Sequence, residues 1–213
     1  IDGVTPTLTV DGLIANKRSM VPAEHIAEFE ARLREGRPPH PIVLVFMALP
    51  AGLTFNMIPA FAEEVGLRGF LFREVPGDYT KRAIGIGFLS YLWALPALAL
   101  GLWYREHVAV GLVVGLCLHL SLSLATVYIR VRSGSVIACA LFRGTVASLV
   151  PVALDLSFGA RDITRPMYGL AGTIGLLVLV GLFLVHDRFY ADKKLVFRSA
   201  VTPERRSSPP AGA

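Results

Sequence analysis

The chain has 213 residues, of which 54% are hydrophobic and 17% charged. Soluble domains carry about 25% charged residues. The shortfall is concentrated in long uncharged runs, which argues against a water-soluble globule and for a membrane protein. The net charge of +5 comes from Lys and Arg beside apolar runs and in the tail, not from a stripe interleaved with aromatics. These residues read as topology signals, and no nucleic-acid partner is expected.

Residues 1–40 are polar and carry Pro6, Pro22, Pro38 and Pro39. Within them, Pro22 to Arg34 predicts a short amphipathic helix, because Ile26, Phe29 and Leu33 recur at spacings of three and four. Such a helix can lie on the membrane surface or cap the bundle. The chain starts at Ile1 rather than Met, with no signal-peptide pattern. An N-terminal truncation and an upstream membrane segment are therefore expected.

Five apolar runs follow: Pro41 to Phe61, Ala83 to Trp103, Val108 to Ile129, Gly134 to Leu156 and Met167 to Val185. Each approaches the roughly 20 helical residues that cross a hydrocarbon core. The fold class is thus an all-α polytopic membrane helix bundle with about five transmembrane helices. Its predicted organisation is an extramembrane segment over 1–40, a bundle over 41–185 and a basic, disordered tail over 186–213. Cys117 and Cys139 both fall inside apolar runs and read as buried free thiols.

Counting the runs alternately, one side collects Arg73, Lys81, Arg82, Arg130, Arg132 and the basic tail. The other collects Arg105, Arg161 and Arg165 with residues 1–40. The first set is larger, so that side and the C-terminus are expected in the cytoplasm. The short loops suggest a bacterial inner membrane.

Charges inside apolar runs cost about 2.5–3.5 kcal/mol each on insertion scales and are functional hypotheses by default. Two places carry them: Glu63, Glu64 and Arg68 after the first run, and Arg143 within the fourth. Glu64 and Arg68 stand at i and i+4, able to pair across one helical turn. Glu63 points about 100° away, following the 3.6-residue period, and can face a cavity. Adjacent carboxylates in a poorly hydrated site suit a general base that activates water. The competing reading is an interfacial helix end whose charges reach into water.

Glu63-Glu64-x-x-x-Arg68 followed by Gly69-Phe70-Leu71, after an apolar helix, resembles the first motif of the CPBP intramembrane endopeptidases. These include CAAX prenyl proteases and bacteriocin-processing or immunity proteins. The approach Leu53-Thr54-Phe55-Asn56 to Ala62 is similar to a bacterial branch. Ser90 to Leu95 resembles the start of the second motif, and Arg132 to Val136 the lead-in to the third. The resemblance covers roughly residues 41–150. It implies a helical membrane fold whose active site opens toward the cytoplasm, a peptide or membrane-protein substrate, and the lipid bilayer as surroundings. It further implies that Glu63 is the base, Glu64 its neighbour, and Arg68 a residue fixing the helix end. Members have been called metalloproteases. No metal site is evident in this sequence, and a glutamate-activated water without cofactor is the expected mechanism.

The later motifs depart from the family. The second-motif histidine slot, counted from Trp93, falls on Ala97. The third-motif histidine slot falls on Arg143, and its asparagine slot on Ala147. A methyl group cannot orient water, and a guanidinium cannot act as a base. A buried arginine needs a partner, so Arg143 is expected to pair with Glu63 or Glu64 and to occupy the water site.

His119 is the only histidine within an apolar run. It either reaches Glu63 from another helix as a replacement catalytic group or bonds a nearby carbonyl. His25, His40, His107 and His186 read as surface residues, and Asp155 with Arg161, Asp162 and Arg165 as a solvated helix end and loop. Asn56 is placed to bond an adjacent helix. Three function classes follow: first an intramembrane endopeptidase of this family, either active or with activity reduced or lost, then a non-catalytic scaffold or adaptor with the same fold, and last a transporter subunit with Arg143 and Glu63 lining a path. The last is disfavoured because no inverted repeat is evident.

Overall fold

The computed structural model describes residues 10–11, 14, 23–36, 41–104, 107–155, 163–164, 166, 168–191 and 196. Every regular element among them is helical. The predicted amphipathic helix is α1, Ile26–Glu35, entered through a 3₁₀ turn at Ala23–His25. Ile26, Phe29 and Leu33 lie half-buried on one side of it, while Arg32 and Glu28 pair at 2.6 Å on the exposed side. Pro22 and His40 lie outside the described residues.

The first apolar run is not one straight helix. It forms α2 (Pro41–Leu53) and α3 (Met57–Glu64), bent by 48° at a short break. Pro50 lacks an N–H, and the Thr54 hydroxyl donates to the Pro50 carbonyl at 2.7 Å, drawing the chain out of the helical ladder. Pro59 is tolerated because it falls in the first turn of α3, where backbone N–H groups have no intrahelical acceptor. Beyond Glu64 the chain continues as a π-helical segment, Val65–Leu71, and one α-turn, Phe72–Glu74.

Four further helices are long and apolar enough to cross a membrane: α4 (Tyr79–Ala99), α5 (Val108–Ser133), α6 (Val136–Asp155) and α7 (Leu170–Phe189). With the bent pair the bundle has up to five spans. The chain is an integral membrane protein. Its exposed surface is rich in large apolar side chains, including Phe46, Trp93, Ile174 and Leu182, as hydrocarbon contact demands.

Local signals set the ends. Asp78 Oδ1 accepts from the Lys81 N–H at 2.9 Å and caps α4. Gly134 adopts φ 68° and closes α5 through its N–H to the Arg130 carbonyl, 3.0 Å away. The chain then turns within two residues into α6, so α5 and α6 run antiparallel.

The two ends of the bundle differ. At one, Tyr79, Ala83, Ile86, Val127 and Tyr128 form a buried cluster, with Phe183 stacked on Tyr128. The starts of α4 and α6 and the ends of α5 and α7 meet here. Arg73, Lys81, Arg82, Arg130, Arg132 and Arg188 belong to this basic end. At the other, Leu98, Tyr104 and Val114 pack together, and the Tyr104 hydroxyl donates to the Tyr168 carbonyl.

Helix α6 packs directly on the bent pair. A Cβ at Gly144 would lie 2.4 Å from the Gly52 carbonyl oxygen and 2.9 Å from the Met57 backbone. Only glycine permits that approach, and the small residues at the crossing carry the charged segment of α3 against α6. Beyond α7, the Val196 N–H donates to Asp187 at 3.1 Å. Most of the predicted tail lies outside the described residues, as do Arg161, Asp162 and Arg165. Both cysteines are free; Cys139 is buried as expected, but Cys117 is exposed on the outer face of α5.

Candidate functional site

Helix α3 delivers Glu63 and Glu64, the π-helical segment delivers Arg68, and α6 delivers Arg143. Arg143 lies seven residues from the start of α6 and twelve from its end, so it sits about 10 Å below the basic end.

Glu64 and Arg68 are 0% and 1% exposed and paired at 3.1 Å. They are interior groups, which removes the reading of charges reaching out to water. The Arg68 side chain is sealed inside the bundle from a π-helical turn, a geometry that recurs at functional sites. Arg130 of α5 donates from Nε to the Arg68 carbonyl at 3.0 Å and tethers that turn.

Arg143 meets both carboxylates. Its Nη2 lies 2.5 Å from each oxygen of Glu63, and its Nε lies 3.7 Å from Glu64 Oε1. Two carboxylates and two guanidiniums thus form a closed quartet whose formal charges cancel. Glu63 is its half-exposed member and faces a cavity; Glu64 is sealed behind it. Glu64 Oε2 and Arg68 Nε remain buried without a partner among the described residues.

The cavity measures about 710 Å³ and is lined by α3, α5, α6, α7 and three connecting segments. Glu63 and Arg143 form its polar floor. Leu149 and Val150 of α6 and Leu176 and Leu179 of α7 form apolar walls. Trp103, Pro166 and Tyr168 lie at the end opposite the basic end. The cavity therefore extends from the quartet away from the basic side, whereas the family resemblance implies an opening toward the side expected in the cytoplasm.

His119 shares this cavity but does not bond Glu63. Its Nδ1 lies 2.7 Å from the Gly115 carbonyl, which can only accept, so Nδ1 carries the hydrogen and Nε2 is the open acceptor of the neutral ring. The ring lies parallel to Trp103 at 6.0 Å, with Tyr91 edge-on at 6.0 Å. Trp103 also packs on Tyr168 at 4.9 Å. Burial raises the Tyr168 phenol above its ordinary value, with Arg143 acting in the other direction, so it remains a donor.

Among the described residues, the second-motif helix reaches the site only through Tyr91, which packs on His119. No residue of α4 lines the cavity among the described residues; Trp93 is 88% exposed on the outer surface, and Ala97 does not reach the floor. Ala147 does line the cavity and offers it a methyl group. Asn56, expected to bond a neighbouring helix, instead stands at the bend before α3 and lines the cavity without a side-chain hydrogen bond among the described residues. Trp103, Asn56 and Tyr168 are among the lining residues that sequence reasoning did not assign to the site. The one signal was an aromatic residue at a run end, which reads equally as an interfacial anchor.

A metal requires a cluster of ligands. No group of three or more His, Cys, Asp or Glu among the described residues could hold an ion. Arg143 and Arg68 neutralise the two carboxylates, so this donor set does not fit a divalent cation.

Fold and site together define a polytopic membrane protein with a charge-neutral polar centre sunk into its bundle. Residues 45–149 match the family described as type II CAAX prenyl endopeptidase Rce1-like, so this stretch of the chain is similar to that family. The matched stretch runs from α2 to α6 and contains the whole quartet. No curated protein and no solved structure gives a significant match.

Proposed function

We propose that this chain is a non-hydrolysing member of its family, a membrane-embedded binding protein or adaptor that receives an apolar or peptide segment in the cavity. One observation carries the reading: Arg143 Nη2 sits 2.5 Å from both oxygens of Glu63. The expected base is engaged on the face that a hydrolytic water would need. In hydrolysis Glu63 would take a proton from water, the oxygen would add to the peptide carbonyl, and the proton would pass to the leaving nitrogen as the C–N bond breaks. Arg143 donates to both oxygens and takes up acceptor capacity where that water would have to bind. The basic end is assigned to the cytoplasmic face of a bacterial inner membrane by its excess of Lys and Arg.

A second reading, glutamate-dependent hydrolysis with a remodelled partner, is supported by His119 lining the same cavity with Nε2 open. The test uses purified protein in vesicles with a fluorogenic prenylated CAAX peptide, the substrate class in the family's name. On the proposed reading wild type cleaves no faster than Glu63→Gln, and both retain the peptide equally. Cleavage by wild type that is lost in both Glu63→Gln and His119→Ala would establish the second reading and overturn the first.

A further inference from the structure

We propose that the basic end carries a binding site for the phosphate-bearing headgroup of an anionic phospholipid, built on Arg82, Arg130 and Phe72. The Phe72 ring, on the single turn after the π-helical segment, carries two guanidiniums. Arg82 Cζ lies 4.8 Å from its centroid and Arg130 Cζ 5.3 Å. Two like charges over one ring repel, and each is half-buried. Cation–ring attraction of about 0.5–2 kcal/mol does not replace the hydration that two half-buried cations give up. A third group of opposite charge balances the arrangement.

The protein does not supply that group among its described residues. Arg68 and Arg143 have Glu64 and Glu63, and Arg132 has Asp187 at 3.8 Å. Neither Arg82 nor Arg130 has a described carboxylate within ion-pair distance. The Arg82 Nε is buried with no hydrogen-bond partner among the described residues, and the Arg130 Nε is spent on the Arg68 carbonyl. Of the carboxylates at this end, Asp78 caps α4 and Asp187 bonds Arg132 and the Val196 N–H. Glu74 is exposed and pairs with neither arginine.

Depth selects the ligand. Arg82 is in the first turn of α4 and Arg130 in the last turn of α5, so both stand about one turn, roughly 5 Å, inside the helix ends. That is headgroup level for helices that span the hydrocarbon. A phosphodiester there meets two guanidinium forks that favour phosphate geometry. The exposed apolar side chains of Phe70, on the adjoining π-helical segment, and Ile84, on α4, suit the acyl chains. The site reaches the quartet through one residue, since Arg130 holds the backbone of Arg68 and Arg68 holds Glu64. This assignment is independent of whether the chain hydrolyses anything.

The test is the thermal midpoint of the full chain in neutral detergent with added phosphatidylglycerol, phosphatidylcholine or inorganic phosphate. A ligand that binds the folded state raises the midpoint. Phosphatidylglycerol should raise it by several degrees more than phosphatidylcholine, with millimolar phosphate giving little. Arg82→Gln should remove at least half of the difference, and Arg73→Gln, exposed on the same end, should keep it. Native mass spectrometry of wild type, which needs no variant to fold, should retain phosphatidylglycerol over phosphatidylcholine. Equal effects of the two lipids by both methods, or a full lipid effect in both Arg82→Gln and Arg130→Gln, would overturn the site. A phosphate shift as large as the lipid shift would overturn the lipid as its source.

Discussion

Replacing Arg68 by Met tests whether the quartet holds the bundle together as a set of charges or as ordinary hydrogen bonds. The substitution removes the 3.1 Å partner of a fully buried carboxylate and leaves Glu64 only the Arg143 Nε at 3.7 Å. Interhelical hydrogen bonds within membranes average about 0.6 kcal/mol. An uncompensated buried charge costs about 3–5 kcal/mol. The second applies here, because Glu64 has no water to fall back on. Arg68→Met should therefore lower the unfolding free energy in a mixed-micelle denaturant titration by about 3–5 kcal/mol. Glu64→Met in the same chain should recover most of the loss, since two apolar side chains of similar volume can replace a buried pair at little cost. Arg143 would keep Glu63 in that double variant. If Arg68→Met lies within about 1 kcal/mol of wild type, the hydrogen-bond scale governs. If the double variant is no better than Arg68→Met, the loss is packing rather than stranded charge. Either result refutes the quartet as an electrostatic unit.

Gly144→Ala should destabilise the chain by about 1–3 kcal/mol, the range for overpacking, because the new methyl meets backbone atoms of Gly52 and Met57 that cannot rotate away. Gly175→Ala, where a Cβ meets nothing within 4 Å, is the matched control for thermal midpoints. In a chain with Cys117→Ser and Cys139→Ala, a cysteine at Ala171 should react with a membrane-impermeant maleimide added to the face opposite Arg73. Labelling from the Arg73 face alone would reverse the assigned direction of the cavity. Glu63→Gln tests catalysis itself, and its expected effect is no change in cleavage.

The quartet was half legible. Glu64 and Arg68 at i and i+4 announce their own contact, because four residues is close to one turn both of an α-helix, at 3.6 residues, and of the wider π-helix. A pairing of Arg143 with Glu63 or Glu64 followed from cost, since an arginine in an apolar run must find an anion and those two glutamates were the obvious candidates; the structure shows it meeting both. His119 was the reverse case. Its type suggested chemistry, but its Nδ1 went to the carbonyl of Gly115 one turn back, a partner always present in a helix.

The sequence by itself determined the membrane class, the five runs, the basic end and the residues that would have to meet in the interior. Those conclusions rest on transfer free energies, which depend on composition and period along the chain and on little else. Only the tertiary structure decided that the first run bends, that Asn56 and Trp103 line the cavity, that the second-motif helix contributes no lining residue among those described, and that the cavity extends toward the less basic end. Each depends on how closely two backbones approach, as Gly52 and Gly144 do, and on which loops then meet at the far end. Such distances are set by the packing of residues remote in sequence, and no local pattern encodes them.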